Sequence, residues 1–117
     1  MQYLLSIDLG TTGCRSILYD ASLRELAISY EEYPLQTPQE HWAEQDAEEL
    51  WESVRGAIAD IVATAGADGI AGLAIANQRE TLVAWDADTG RAIAPTILWQ
   101  DRRGAALCAD LVAQGHG

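Results

Sequence analysis

The feature that most constrains this chain is a short apolar run that ends in an acid, meets a glycine- and threonine-bearing turn, and resumes as a second apolar run. Residues 3–8 read Tyr-Leu-Leu-Ser-Ile-Asp and predict a buried strand. Gly10, Thr11, Thr12 and Gly13 punctuate the chain, and residues 15–20 predict a second strand. A strand after the turn excludes two familiar phosphate loops. A Walker A loop needs Gly-Lys-Ser/Thr before a helix, and a dinucleotide-binding turn opens a helix.

The rest of the chain extends this pattern. Residues 25–33 predict a third strand, which completes an antiparallel meander. Residues 34–45 carry two prolines and predict a surface connection. Asp46 can cap a helix over residues 47–65, with Glu49 at the reciprocal capping position. Leu50, Val54, Ala57, Ile58, Ile61, Val62 and Ala65 follow at helical spacing, and Gly66 predicts the stop. Residues 70–76, Ile-Ala-Gly-Leu-Ala-Ile-Ala, predict a strand buried on both faces. A strand, a long helix and a buried strand together predict a crossover into a parallel position. Further strands are predicted over residues 81–85 and 93–99, the latter broken by Pro95, and a second helix over 101–113 with Leu107, Leu111 and Val112 facing inward. The closing Gly115-His116-Gly117 supplies no structural closure, so the chain reads as an incomplete unit.

Composition enters through charge. The chain of 117 residues carries a formal net charge of -11, with seven basic residues, all Arg. Such a surface repels phosphate backbones, so nucleic acid is not expected as a partner. Any phosphate site must depend on backbone N–H groups and a few placed arginines. No apolar run approaches a membrane span and the start lacks a basic leader, so a cytoplasmic protein without membrane contact is expected. Cys14 and Cys108 show no metal-ligand spacing and are expected as two small buried thiols. Trp42, Trp51 and Trp85 are expected to pack. Arg102 and Arg103 are expected as helix-start surface charges or interlobe contacts, and His41 and His116 have no assigned role.

The turn after the first strand holds the first chemistry. Its N–H groups can form an anion-binding nest, Thr11 and Thr12 add hydroxyl donors, and Arg15 can reach back as a bidentate donor. Asp8 would face the same phosphates, which requires an intervening cation; Mg2+ held through water fits. Taken alone, an ordinary hairpin turn with an Asp cap accounts for the same residues. Arg79 and Glu80 follow the 70–76 strand at its carboxyl end, where open α/β sheets bind ligands. Arg supplies only donors and Glu only acceptors, so the pair can hold hydroxyl groups, with Trp99 over a carbon chain and Gln78 orienting the pair. Taken alone, this pair reads more simply as solvated charge and Trp99 as a core residue.

Four ordered segments change that balance. Asp8-Leu9-Gly10-Thr11-Thr12 between two strands resembles the first phosphate motif of the actin, Hsp70 and sugar kinase ATPase superfamily. Trp42-Ala43-Glu44-Gln45-Asp46 resembles the Gly-Trp-x-Glu-x-Asp segment of FGGY carbohydrate kinases, with His41 in place of the Gly. Asn77-Gln78-Arg79-Glu80-Thr81 resembles a segment of the glycerol kinase branch, as does Trp99-Gln100-Asp101-Arg102-Arg103. The resemblance covers essentially the whole chain. It implies a ribonuclease-H-like α/β fold, a mixed sheet with flanking helices, of which residues 1–117 form the N-terminal portion of the first kinase lobe.

The function implied is ATP-dependent phosphorylation of a terminal hydroxyl of a polyol or sugar, most closely glycerol. ATP and Mg2+ are the implied cofactors and the small-molecule acceptor the implied partner, with homo-oligomerisation of the full-length protein left open. Asp8 would orient Mg2+ through water; Thr11, Thr12, Gly13 and Arg15 would hold phosphates; Arg79, Glu80 and Trp99 would hold the acceptor. No catalytic residue is assigned here, because the general-base Asp of the family pattern lies beyond residue 117, and the 117 residues alone are expected to be inactive. Leu9 stands where glycerol kinases often carry Gln, and Gly13-Cys14 replaces their Ser-Ser pair, which leaves erythritol or xylulose open as acceptors. Two other readings remain: a nucleotide-switch ATPase, actin-like or chaperone-like, which gives Arg79, Glu80 and Trp99 no role, and a standalone binding module.

Overall fold

The computed structural model describes residues 2–117. Three strands run antiparallel in sequence: β1 (Tyr3–Leu9), β2 (Gly13–Tyr19) and β3 (Glu25–Glu32). After a two-residue strand β4 (Glu44–Gln45) comes helix α1 (Ala47–Ala65), then β5 (Ile70–Asn77), which pairs parallel with β1. The main sheet therefore has the order β3-β2-β1-β5 and is mixed, with α1 as the crossover connection. A second small sheet pairs β4 with β6 (Thr96–Ile97), and helix α2 (Ala105–Ala113) follows.

Helix α1 forms where its pattern predicts, because its apolar residues recur on one face and both ends are chemically closed. The Asp46 carboxylate accepts from the N–H groups of Glu48 at 2.8 Å and Glu49 at 3.3 Å. Gly66, at a φ of 75°, ends the helix, its N–H donating to the Val62 carbonyl. Val54, Ala57 and Ile61 pack on Leu5 and Ile7 of β1, Cys14 and Leu18 of β2, and Tyr33. That cluster is the core. Alternation along β1 points Leu5 and Ile7 into it and leaves Leu4 and Asp8 on the opposite, open face.

Several expectations change in the structure. Strand β5 is exposed along most of its length, with Leu73 and Ile75 more than half accessible, because α1 covers β1 to β3 and does not extend over β5. Residues 81–85 form no strand. Leu82 bridges to Ile97 and Trp85 to Ala92 as isolated pairs, and of 93–99 only Thr96–Ile97 is a strand. Helix α2 begins at Ala105 and buries none of its residues, so Leu107, Leu111 and Val112 face solvent rather than a core. Cys14 is buried as expected but Cys108, on α2, is exposed. Trp51 and Trp85 are both exposed, and they line one shallow cleft together.

Arg103 is a structural clamp rather than a surface charge. Its guanidinium donates to both carboxylate oxygens of Asp101 and to Glu44 Oε1 at 2.7 Å, and stacks 3.7 Å from the Trp42 ring centroid. Asp101 also accepts from the Ala43 N–H at 2.8 Å. These bonds, led by those from Arg103, hold the Asp101 carboxyl well below the usual carboxylate range. The clamp ties residues 42–44 to 98–103 and fixes the β4–β6 pair, and through it Gln45 and Trp99.

Candidate active site

The turn between β1 and β2 is held entirely from behind. The Tyr33 hydroxyl shares its one proton between the Gly10 and Gly13 carbonyls, and the Gly13 carbonyl, 3.0 Å from that hydroxyl, also accepts from the Gly10 N–H at 3.0 Å. Gln45 Nε2 donates to the Thr11 carbonyl at 2.6 Å, and the Tyr33 N–H to the Thr12 carbonyl at 3.2 Å. All four carbonyls of residues 10–13 thus point into the protein. The N–H groups of Thr11 and Thr12 have no protein acceptor among the described residues, and an outward pair of N–H groups on a turn attracts an anion. Burial is the main reason the Tyr33 phenol is pushed up to about 12, with charge on Cys14, Tyr30 and Asp8 adding to it, so this donor keeps its proton at physiological pH.

Gly13 serves this turn by its size. A Cβ there would lie 2.6 Å from the Glu31 carbonyl oxygen of β3 and 2.6 Å from the Tyr30 ring. Strand β3 can approach the turn only because position 13 has no side chain.

The carboxyl ends of β1 and β5 lie side by side, with Asp8 opposite Ala76 and Leu9 opposite Asn77. The Gln78 N–H closes the junction by donating to the Leu9 carbonyl at 2.9 Å. Beyond it opens a cleft of about 370 Å³ lined by Asp8, Gly10, Thr11, Gln78, Arg79, Glu80 and Trp99, among others. Residues from three distant stretches of sequence therefore meet: Asp8 and Thr11 from the turn, Arg79 and Glu80 after β5, and Trp99 after β6. Thr12, Gly13 and Arg15 do not line this cleft. Arg15 lies beside Asp8 in the β1–β2 register, and its guanidinium stands 5.7 Å from the Tyr30 ring centroid. Glu80 occupies the left-handed region at a φ of 53°, a conformation that costs a non-glycine residue about 1 kcal/mol or more and gathers at functional sites.

Trp99 is joined to the turn directly: its indole N–H donates to Thr11 Oγ1 at 3.1 Å. Gln45 is the residue that sequence reasoning missed. It lies in a segment read as a surface connection, yet it is 1% exposed and bonded to Thr11 and Gln78. A polar residue at the end of a two-residue strand carries no periodic signal of burial. Among the described residues no three His, Cys, Asp or Glu side chains gather into a metal cage, and no helix is long and apolar enough to cross a membrane.

The N-terminal domain of the FGGY family of carbohydrate kinases matches residues 3–117. The chain is 44% identical over 115 residues to a glycerol kinase of Agrobacterium fabrum, covering 97% of this chain and 23% of that protein. Among solved structures, a ligand-bound xylulose kinase from Lactobacillus acidophilus superposes with a TM-score of 0.89 at 26% identity, over 99% of this chain and 23% of that one. A glycerol kinase from Plasmodium falciparum with ADP superposes with a TM-score of 0.86 at 25% identity, over 97% and 23%. The chain thus spans about a quarter of the length of the relatives it matches. Its mixed sheet and flanking helices are part of the ribonuclease-H-like fold of sugar kinases. From residue 3 to residue 117 this chain belongs to the FGGY family of carbohydrate kinases, in its N-terminal domain.

Proposed function

We propose that the complete gene product transfers the γ-phosphoryl group of ATP to a terminal hydroxyl of a small polyol or sugar, with glycerol as the acceptor. One observation carries this reading: a single cleft holds Asp8 and Thr11 of an anion-ready turn on one side and Arg79, Glu80 and Trp99 on the other. Phosphoryl transfer depends mainly on positioning and charge stabilisation, which this juxtaposition can supply. The Thr11 and Thr12 N–H groups take phosphate oxygens, and Arg15 adds positive charge at the margin. Arg79 donates to acceptor hydroxyls, Glu80 accepts from them, and Trp99 covers the carbon chain. A volume of about 370 Å³ gives room for a small polyol beside a phosphoryl group.

Asp8 suits Mg2+ held through water, since it is one exposed carboxylate beside the nest and Mg2+ keeps most of its waters when one or two carboxylates bind it. When bound there, Mg2+ would neutralise charge on the transferring phosphoryl group. Residues 1–117 are the N-terminal portion of the first lobe in this reading, which the coverage of the relatives supports, as do the uncovered core-type side chains Leu73, Ile75, Leu107 and Val112. The general base and the adenine pocket then lie elsewhere, and the 117 residues alone do not turn over. Xylulose as acceptor is the second reading, favoured by the likeness to the xylulose kinase structure.

The test is coupled ADP release by the complete gene product, with glycerol against a panel of polyols and ketoses. Turnover with glycerol that Asp8→Ala and Arg79→Ala each reduce at least a hundredfold is the expected result. Turnover with a ketose alone replaces glycerol by that acceptor, and ADP release without any acceptor refutes the kinase reading in favour of a switch-type ATPase.

A further inference from the structure

Five hydrogen bonds close a ring that begins and ends at Thr11. Gln45 Nε2 donates to the Thr11 carbonyl at 2.6 Å, and Gln78 Nε2 donates to Gln45 Oε1 at 3.1 Å. The Thr81 hydroxyl donates to Gln78 Oε1 at 3.1 Å, the Trp99 N–H donates to Thr81 Oγ1 at 3.3 Å, and the Trp99 indole N–H returns to Thr11 Oγ1 at 3.1 Å. The direction of every bond is forced. The Thr11 carbonyl can only accept, which turns the Gln45 amide and leaves its Oε1 towards Gln78; that oxygen can only accept, which turns the Gln78 amide and leaves the Thr81 hydroxyl to donate to Gln78 Oε1, while both Trp99 N–H groups can only donate.

Each of Gln45, Gln78 and Thr81 therefore uses one donor and one acceptor to pass the alignment on. Gln45 is fully buried, so a broken link strands an amide group away from water. The two ends of the relay are the phosphate turn and the tryptophan wall of the cleft, while Gln45 and Thr81 are not among its lining residues.

We propose that Gln45, Gln78 and Thr81 are positioning residues that hold the phosphate turn and the acceptor wall in one register, so that the two bound substrates meet in line. This rests on the phosphotransfer reading above. Misplacement by about 1 Å costs up to about a hundredfold in rate while leaving each subsite able to bind. The relay thus sets kcat more than either KM.

The experiment is steady-state kinetics of the complete gene product carrying Gln45→Met, Gln78→Met, both together, and Thr81→Val, each with its melting temperature. Thr81→Val keeps the shape of the side chain and serves where a Gln variant does not fold. The expected result is a fall in kcat of about ten- to hundredfold with each KM within about threefold, and a double variant no slower than the slower single one, as for residues that act as a unit. Folded variants with unchanged kcat, or losses that multiply, overturn the proposal. If the wild type shows no acceptor-dependent turnover, the kinase reading fails, and the Trp99 indole N–H resonance decides the relay. MgATP shifts that resonance in the wild type through the direct bond to Thr11, and a clearly smaller shift in Gln45→Met, whose turn has lost its second tie, is the expected result; equal shifts in both overturn the relay.

Discussion

Replacing Gly13 by alanine separates two glycines that look alike in the sequence of the turn. At Gly13 the new Cβ would lie 2.6 Å from the Glu31 carbonyl oxygen, which must recede by about 0.8 Å to reach ordinary contact at 3.4 Å. The Tyr30 ring, half-exposed, can swing aside; the carbonyl belongs to strand β3 and is paired into the sheet beside β2, so it cannot. Overpacking of this kind costs about 1–3 kcal/mol, and an immovable backbone partner puts Gly13→Ala near the upper end. In a protein of the relatives' length, about four times this chain, that corresponds to a fall in melting temperature of a few degrees. At Gly10 the nearest neighbour of a Cβ is the Gly13 carbonyl at 3.5 Å, and Gly10 is not among the glycines with positive φ. Gly10→Ala is therefore expected to melt together with the wild type. The assay is thermal unfolding of the complete gene product followed by circular dichroism. A Gly13→Ala protein that melts together with Gly10→Ala would refute the idea that position 13 is reserved for the approach of β3.

Two further outcomes follow from the turn and the clamp. Because the folded Tyr33 phenol is pushed up to about 12 and an unfolded tyrosine titrates near 10, its contribution is complete below about pH 10 and is lost as pH rises towards 12; stability should fall in that window, and Tyr33→Phe should lose this pH-dependent part while melting lower at neutral pH, since the Gly10 carbonyl has lost its donor. Arg103→Lys loses the paired bonds to Asp101 and the stacking on Trp42, so it should lower the melting temperature clearly more than Arg102→Lys, a change at an exposed position; equal effects would sink the clamp.

Where local chemistry decides, the fold was legible in sequence. Helix α1 follows from its apolar spacing, the Asp46 cap and the Gly66 stop, all of which act within a few residues. The meander follows from three apolar runs separated by short polar turns. Legibility failed where burial depends on distant partners. Strand β5 and helix α2 carry core-type side chains, yet composition alone does not say which element covers them. Residues 81–85 have strand-forming side chains, but only single bridges form around Pro95. In the site, Asp8, Thr11, Arg79, Glu80 and Trp99 could be singled out through the resemblance of their segments to a family, since taken alone they read as a hairpin turn, a solvated pair and a core tryptophan. Gln45 could not, since an uncharged amide in a polar stretch looks solvated until the β4–β6 pair buries it.

The left-handed backbone of Glu80 also bears on how a site like this can diverge. Glycine, asparagine and aspartate adopt a φ of 53° at little cost, whereas β-branched residues are all but barred. Only aspartate among the tolerated replacements keeps a carboxylate, and it is one methylene shorter. Single substitutions at this position thus lead almost nowhere useful. Arg79 and Trp99 sit on ordinary backbone and are open to a much wider set of residues. Drift in acceptor preference among descendants of such a chain would run through those neighbours, with position 80 as the fixed point around which they change.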